Sequence, residues 1–188
     1  MKKLALMFVA ALLAAPSAFA GNADPDALPQ IGAVAPAFGL YPFDTKSSVE
    51  QFKDKVELDD HCGIRASDTK LVLIVFANAI SLAGDLEYAE GWHKKHGKAG
   101  LVPIVISTDP ASQAVREVLA KSKYTFPILD DKFKIVAARY GVSSAPFTFL
   151  LDGECRTLGL SDKALSVDAE RLGTTIATLL SGKAGEIE

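Results

Sequence analysis

Cysteine is scarce in this 188-residue sequence: Cys62 and Cys155 are the only two, which leaves a single possible intramolecular pairing. An even count in an oxidising compartment invites a disulfide; two free thiols buried as small apolar side chains are the alternative. Net positive charge is missing as well. The formal charge is −3 at pH 7, so the chain lacks the basic footprint that nucleic acids and anionic membrane surfaces require. No apolar run beyond residue 20 is long enough to cross a bilayer at about 20 residues per helix. There is no internal repeat, no low-complexity tract, and no G-x-S-x-G elbow to set up a serine nucleophile. A chain of this size is about one domain.

What is present begins with a leader pattern. Lys2 and Lys3 form a short basic region, Leu4 to Ala15 is apolar, Pro16 breaks the run, and Ala18-Phe19-Ala20 is a small-x-small cleavage pattern. The expectation is a signal peptide over residues 1–20, cleaved before Gly21, and a periplasmic or secreted location. An uncleaved membrane anchor is the alternative. No cysteine follows the apolar run, which argues against a lipid-anchored lipoprotein. Loss of Lys2 and Lys3 takes the formal charge from −3 to −5.

Residues 21–36, rich in Gly, Ala, Pro and Asp, read as an extended lead-in to a domain over 37–182, with a tail at 183–188. Phe38 to Phe43 is short and turn-flanked. Ser47 with Glu50 fits a capping box before a short helix to about Lys53. Val56 to Asp60 reads as a brief strand and His61 to Asp68 as a loop. Lys70 to Ala77 is an unbroken apolar, β-branched run, as a strand covered on both faces requires. A helix is predicted from Leu82 to His96 and a second buried strand from Leu101 to Ser107. Asp109-Pro110 reads as N-cap and first residue of a helix bearing Val115, Val118 and Leu119. A short extended stretch at Phe126–Leu129 precedes a helix from Lys132 to Tyr140, with Phe133, Val136 and Tyr140 on its apolar side and Gly141 at C′. Pro146 to Leu151 is a third apolar strand, turned by Asp152-Gly153 into an antiparallel return over Arg156–Leu160. A last helix runs from Val167 to Leu180, and Gly182 ends it. The pattern is an α/β domain, a mixed sheet flanked by helices.

Four pieces in this order carry a resemblance. They are Gly32-Ala33-Val34-Ala35-Pro36-Ala37-Phe38, the strand at Leu71–Phe76, the segment from His93 to Leu101, and Tyr140-Gly141-Val142 followed by Pro146 and Phe149-Leu150-Leu151-Asp152. Together they resemble the thioredoxin-like redoxins, the group of the peroxiredoxins and TlpA-type thiol oxidoreductases, over nearly all of residues 32–182. The resemblance implies a thioredoxin-like fold. It also implies a W-C-x-x-C opening the first helix, where the helix N-terminus stabilises a nucleophilic thiolate. Here Ile80-Ser81-Leu82-Ala83-Gly84 stands at that point, with Ser81 and Gly84 in the dithiol positions. The peroxidatic P-x-x-x-[T/S]-x-x-C and the copper-chaperone C-x-x-x-C are missing too, Ser81 and Asp85 occupying the latter spacing. No catalytic residue, cofactor or metal is expected.

The resemblance further implies that Ala145-Pro146 is a cis peptide whose first residue offers backbone hydrogen bonds to an extended chain; the alternative is that Pro146 only shapes the fold. Ser81 reads as the N-cap of the helix at Leu82. Cys62 and Cys155 fall, in the resembled topology, at the pole opposite the usual site, and a structural disulfide is preferred to a relocated redox centre. His93 and His96, three apart, could share a helical face and bind a metal, but a polar helix end is the preferred reading. His61, beside Cys62, could lower that thiol's pKa. The functional expectation is a non-catalytic module binding an extended polypeptide or a periplasmic protein. The alternatives are a thiol-disulfide oxidoreductase or peroxidase using Cys62 and Cys155, and, last, a metal-handling protein.

Overall fold

The computed structural model describes residues 28–43, 54–110, 112–120 and 124–182. The expected signal peptide over residues 1–20, residues 21–27 of the lead-in, the expected Ser47 capping box and helix, and the 183–188 tail lie outside the described residues.

The apolar run predicted as the central strand forms β3 (Leu71–Ala77), and every residue of it is at most 3 % exposed. A strand buried on both faces needs neighbours on both sides. β3 runs parallel to β4 (Leu101–Ser107) and antiparallel to β6 (Phe147–Asp152). With β5 (Ile128–Asp130) beyond β4 and β7 (Thr157–Ser161) beyond β6, the mixed sheet has the order β5-β4-β3-β6-β7. β1 (Gly39–Leu40) and β2 (Val56–Glu57) pair separately.

Alternation along β3 divides the core in two. Leu71, Leu73 and Val75 face a layer made by α1 (Leu82–His96), α2 (Gln113–Ala120) and α4 (Leu165–Leu180), through Leu82, Leu86, Val115, Leu119, Leu172 and Ile176. Val72, Ile74 and Phe76 face α3 (Ile135–Arg139) and the N-terminal segment, through Val136, Tyr140 and Phe38. Each such aliphatic side chain contributes about 1.5–3 kcal/mol on full burial. Tyr140 anchors the second layer: its ring meets Phe38, Phe76 and Phe149, and its hydroxyl donates to the Pro36 carbonyl at 2.8 Å.

Pro103 sits inside β4 without breaking it. Val105 donates to the Pro127 carbonyl, so alternation turns the Pro103 nitrogen toward the same side, where β5 has not yet begun, and no ladder bond is lost. Gly141, at φ +68°, turns the chain out of α3 as its C′ position required.

Several local expectations are corrected. Residues 32–35 of the lead-in pair with the chain at 155–157, where β7 starts: Gly32 donates to the Thr157 carbonyl, Thr157 to Ala33, and Ala35 to Cys155. At the opposite edge Phe43 donates to Ile128 and Asp130 to Tyr41, so residues 41–43 line β5. Val56 to Asp60 is strand only to Glu57 and then a 3-10 turn, where Asp60 accepts from the Glu57 amide. α2 begins at Gln113, with Ser112 Oγ accepting from the Val115 amide. Asp109 does not cap it; its carboxylate serves another element, described below. α3 begins at Ile135 instead of Lys132, because the Asp131 carboxylate accepts from the amides of Ile135 and Ala137. Phe133 therefore precedes the helix and is 74 % exposed.

Candidate functional site

β3 delivers the chain to a four-residue turn, Asn78–Ser81, from which α1 starts. Asn78 organises it. Its side-chain Oδ1 accepts from the amides of Ile80 at 3.0 Å and Ser81 at 2.9 Å, and its carbonyl accepts from Leu82 at 2.9 Å. The Ala79 amide donates to Asp109 Oδ2 at 2.7 Å. The amides of residues 79–82, orphans at any helix start, are thus engaged by this chain's own groups. Ser81 makes no side-chain cap; its Oγ accepts from the Asn78 amide at 3.3 Å. Asn78 takes the capping role expected of Ser81. The signal was present, since asparagine at a strand-to-helix junction is among the best caps.

Asn78 also reaches across to the other half of the site. Its Nδ2 donates to the Ala145 carbonyl at 2.7 Å. Ala145-Pro146 is a cis peptide, as the resemblance implied, and Ala145 is buried. The same carbonyl accepts from Ser144 Oγ at 3.3 Å. The structure therefore brings the Ser81 turn and the Ala145-Pro146 turn together at the C-terminal end of β3. Ile80, between them and solvent, is 94 % exposed.

Beneath Ser81 lies Asp85, fully buried, whose Oδ1 accepts from the Leu165 amide at 2.8 Å and so caps α4 from α1. Burial pushes its carboxyl above the usual carboxylate range, with the Ser81 hydroxyl and the Leu165 amide acting in the opposite direction. A carboxyl with a raised folded-state pKa binds its proton more tightly folded than unfolded. Its contribution to stability is full below about pH 4, where the unfolded chain also holds the proton, and is lost as pH rises through the folded value. Asp85→Asn keeps an acceptor for Leu165 and removes the charge. It is expected to unfold at a higher denaturant midpoint than the parent at about pH 8, with the difference closing toward about pH 4. Denaturant titrations across that range test this; a difference that does not change with pH would show that Asp85 is not the titrating group.

The cysteines are elsewhere. Cys62 and Cys155 form a disulfide with Cα atoms 5.3 Å apart, joining the loop before β3 to the turn after β6. They are 1 % and 6 % exposed. Leu71 at the start of β3 pairs with Asp152 at the end of β6, whereas Phe76 pairs with Phe147. The bond therefore sits at the pole opposite Ser81 and Ala145. His61, whose pKa is lowered by burial, adjoins a disulfide sulfur and has no thiol to activate. His93 and His96 are not brought to a common ligand set. His93 Nδ1 lies 2.7 Å from Thr125 Oγ1, which also donates to Glu90 Oε2. Among the described residues no cluster of three His, Cys, Asp or Glu side chains is placed to hold a metal ion. None of the described helices is long and apolar enough to cross a membrane.

No protein-family model matches the chain, and no curated protein matches it. Solved structures do. A putative thiol:disulfide interchange protein DsbE from Chlorobium tepidum matches at a TM-score of 0.67 and 20 % identity, over 81 % of this chain and 99 % of that one. A putative protein disulfide isomerase from Bacteroides thetaiotaomicron matches at 0.63 and 20 %, over 81 % and 91 %. Peroxidoxin BcpB from Mycobacterium tuberculosis matches at 0.59 and 20 %, over 81 % and 97 %. The chain accordingly has a thioredoxin-like fold, and at about one identical position in five the likeness carries the fold and not the chemistry.

Proposed function

We propose that this chain is an exported, non-catalytic thioredoxin-fold module that binds a partner polypeptide where Ile80, Ser81 and the Ala145-Pro146 turn meet. The observation that carries the reading is the fate of the cysteines. Disulfide exchange and peroxide reduction both need a thiolate within reach of substrate, and the only two sulfurs of the chain that could supply one are bonded, buried and at the far pole. A serine hydroxyl does not substitute for a thiolate, and no imidazole contacts Ser81 to activate it. Binding needs less. An isoleucine 94 % exposed at a helix-entry turn is apolar surface left uncovered. The Ala145 carbonyl is already held by Asn78, so capture rests on side-chain contact around Ile80 more than on strand addition.

The test joins chemistry to binding. Native protein is expected to show no titratable thiol, two after unfolding in reductant, and no turnover of insulin disulfides or hydrogen peroxide. It is expected to bind reduced, alkylated insulin B chain as an extended-polypeptide probe, and Ile80→Asp is expected to abolish that binding without altering the circular dichroism spectrum. Binding indifferent to Ile80→Asp would overturn the reading.

A second reading keeps one supporting observation: the solved structures similar to this chain include proteins named for thiol:disulfide interchange. On that reading Cys62–Cys155 is the redox couple, and mild reductant opens it in the folded protein with turnover that Cys62→Ser abolishes. Export rests on the Lys2–Ala20 pattern. Mass spectrometry of envelope-fraction protein is expected to find Gly21 at the N-terminus, and intact Met1 would refute cleavage.

A further inference from the structure

Between the N-terminal segment and the start of α3 lies a cleft of about 650 Å³, within the roughly 300–1,000 Å³ range that seats a ligand or an inserted side chain. Its apolar wall is open to solvent: Tyr41 is 67 % exposed, Phe133 74 % and Ile135 59 %. The cause is local. The Asp131 carboxylate starts α3 at Ile135, and Lys134 adopts φ +54° ahead of it. The turn 132–134 is therefore pushed outward with an aromatic ring between two lysines. Lys132 Nζ lies 4.9 Å from the Phe133 ring centroid.

Charge is distributed unusually here. The chain as a whole carries −3, yet Lys132 and Arg139 line the cleft and Lys134 is next to it in sequence, and among the described residues none of the three makes an ion pair. Arg139 Nη1 donates to the Ala37 carbonyl at 2.6 Å, which fixes the guanidinium without neutralising it. Of the two described carboxylates that line the cleft, Asp131 is 2 % exposed and occupied by backbone amides, which leaves Asp130 against Lys132 and Arg139. Strand addition is closed at this edge, because residues 41–43 already cover β5. An occupant must therefore dock through side chains, and the concavity suits a protruding side chain better than a flat lipid surface.

We propose that this cleft is a docking site for an acidic polypeptide segment bearing an exposed apolar side chain. The apolar group seats against Tyr41, Phe133 and Ile135, and the flanking carboxylates meet Lys132, Lys134 and Arg139. The site shares no residue with the surface at Ile80 and stands or falls independently of it.

Fluorescence anisotropy with the full chain tests this, using three labelled peptides. The first places Asp and Glu around a Leu-Phe pair; the second replaces its acids with Lys; the third replaces Leu-Phe with Ser-Ser. The first is expected to bind saturably and to weaken with added salt, and the other two to bind at least about tenfold more weakly. Phe133→Ser and Lys132→Glu with Lys134→Glu, both confined to exposed positions, are each expected to weaken the first peptide about tenfold, while Ile64→Ser, at an exposed position outside the cleft, leaves it unchanged. No saturable binding, equal binding of all three peptides, or variants that bind like the parent would overturn the proposal. So would preference for phosphatidylglycerol vesicles over the peptide, or self-association of the chain that Phe133→Ser abolishes, since each names a different occupant.

Discussion

A Ser81→Cys, Gly84→Cys double variant is expected to reduce insulin disulfides, while the parent chain leaves them intact. The two positions lie three apart at the start of the 15-residue helix α1, the spacing that places side chains on one helical face. Gly84 has room: a Cβ there meets nothing nearer than Ser166 Cβ at 4.0 Å. The helix N-terminus carries about half a unit of positive charge and lowers the pKa of a thiol from about 8.5. Two carboxylates oppose it, and the first is Asp85, buried beneath Ser81. Asp109 holds its carboxylate 2.7 Å from the Ala79 amide, at the same end of the helix. Adding Asp109→Asn is therefore expected to lower the pKa of the new thiol and raise the rate further, with thiolate absorbance against pH as the readout. Ser81→Ala, by contrast, removes the acceptor for the Asn78 amide and the hydroxyl that acts on Asp85, and leaves the Asn78 cap in place, a cost of about 1 kcal/mol. A folded double variant with an oxidisable dithiol and no turnover would mean that the surface around Ala145-Pro146 no longer admits an extended substrate, and would count against partner binding there.

Removal of the Cys62–Cys155 bond is expected to cost about 4–5 kcal/mol. The bonded residues are 93 apart in sequence, and in the chain-entropy account a loop of about that length restricts the unfolded ensemble by this amount. Against a total stability of about 5–15 kcal/mol for a domain, a Cys62→Ala, Cys155→Ala variant should lie close to its unfolding transition under conditions where the parent is fully folded. Denaturant midpoints of the parent, with and without reductant, and of the double variant measure it. Midpoints that coincide would show that the bond constrains little and would return weight to a redox role.

The strands of this sheet were legible because burial on both faces leaves an unmistakable mark: Leu71–Ala77 and Leu101–Ser107 are apolar at nearly every position, and Gly141 and Gly182 both stand at φ > 0 where they were expected. The disulfide was legible only through topology, since nothing near Cys62 in sequence points to Cys155. The start of α1 at Leu82 agrees with the sequence, whereas those of α2 and α3 fall later than it implies, because capping oxygens are interchangeable in sequence and are assigned by geometry. Asp109 looked like the cap of the helix that follows it, yet its carboxylate goes to Ala79, 30 residues earlier. Ser81 looked like the cap of α1, and Asn78 took that place while also reaching Ala145, 67 residues away. Phe133 fitted an apolar helical stripe until Asp131 moved the helix start beyond it. The candidate site was therefore found by position along the fold, whereas its internal wiring, Asn78 above all, was not.

The pairing of residues 32–35 with β7 has a bearing on the order in which the molecule can be completed. That segment arrives early, but the residues it pairs with, Cys155 to Thr157, arrive almost last. A nascent chain that ends before Thr157 has β6 as an open sheet edge and a loose N-terminal strand looking for one, a combination that favours pairing between neighbouring chains. Local helices such as α1 can form as they emerge, but closure depends on this long-range contact, the slow kind. Residues 32–35 can therefore find their native partner only once the final fifth of the polypeptide has arrived.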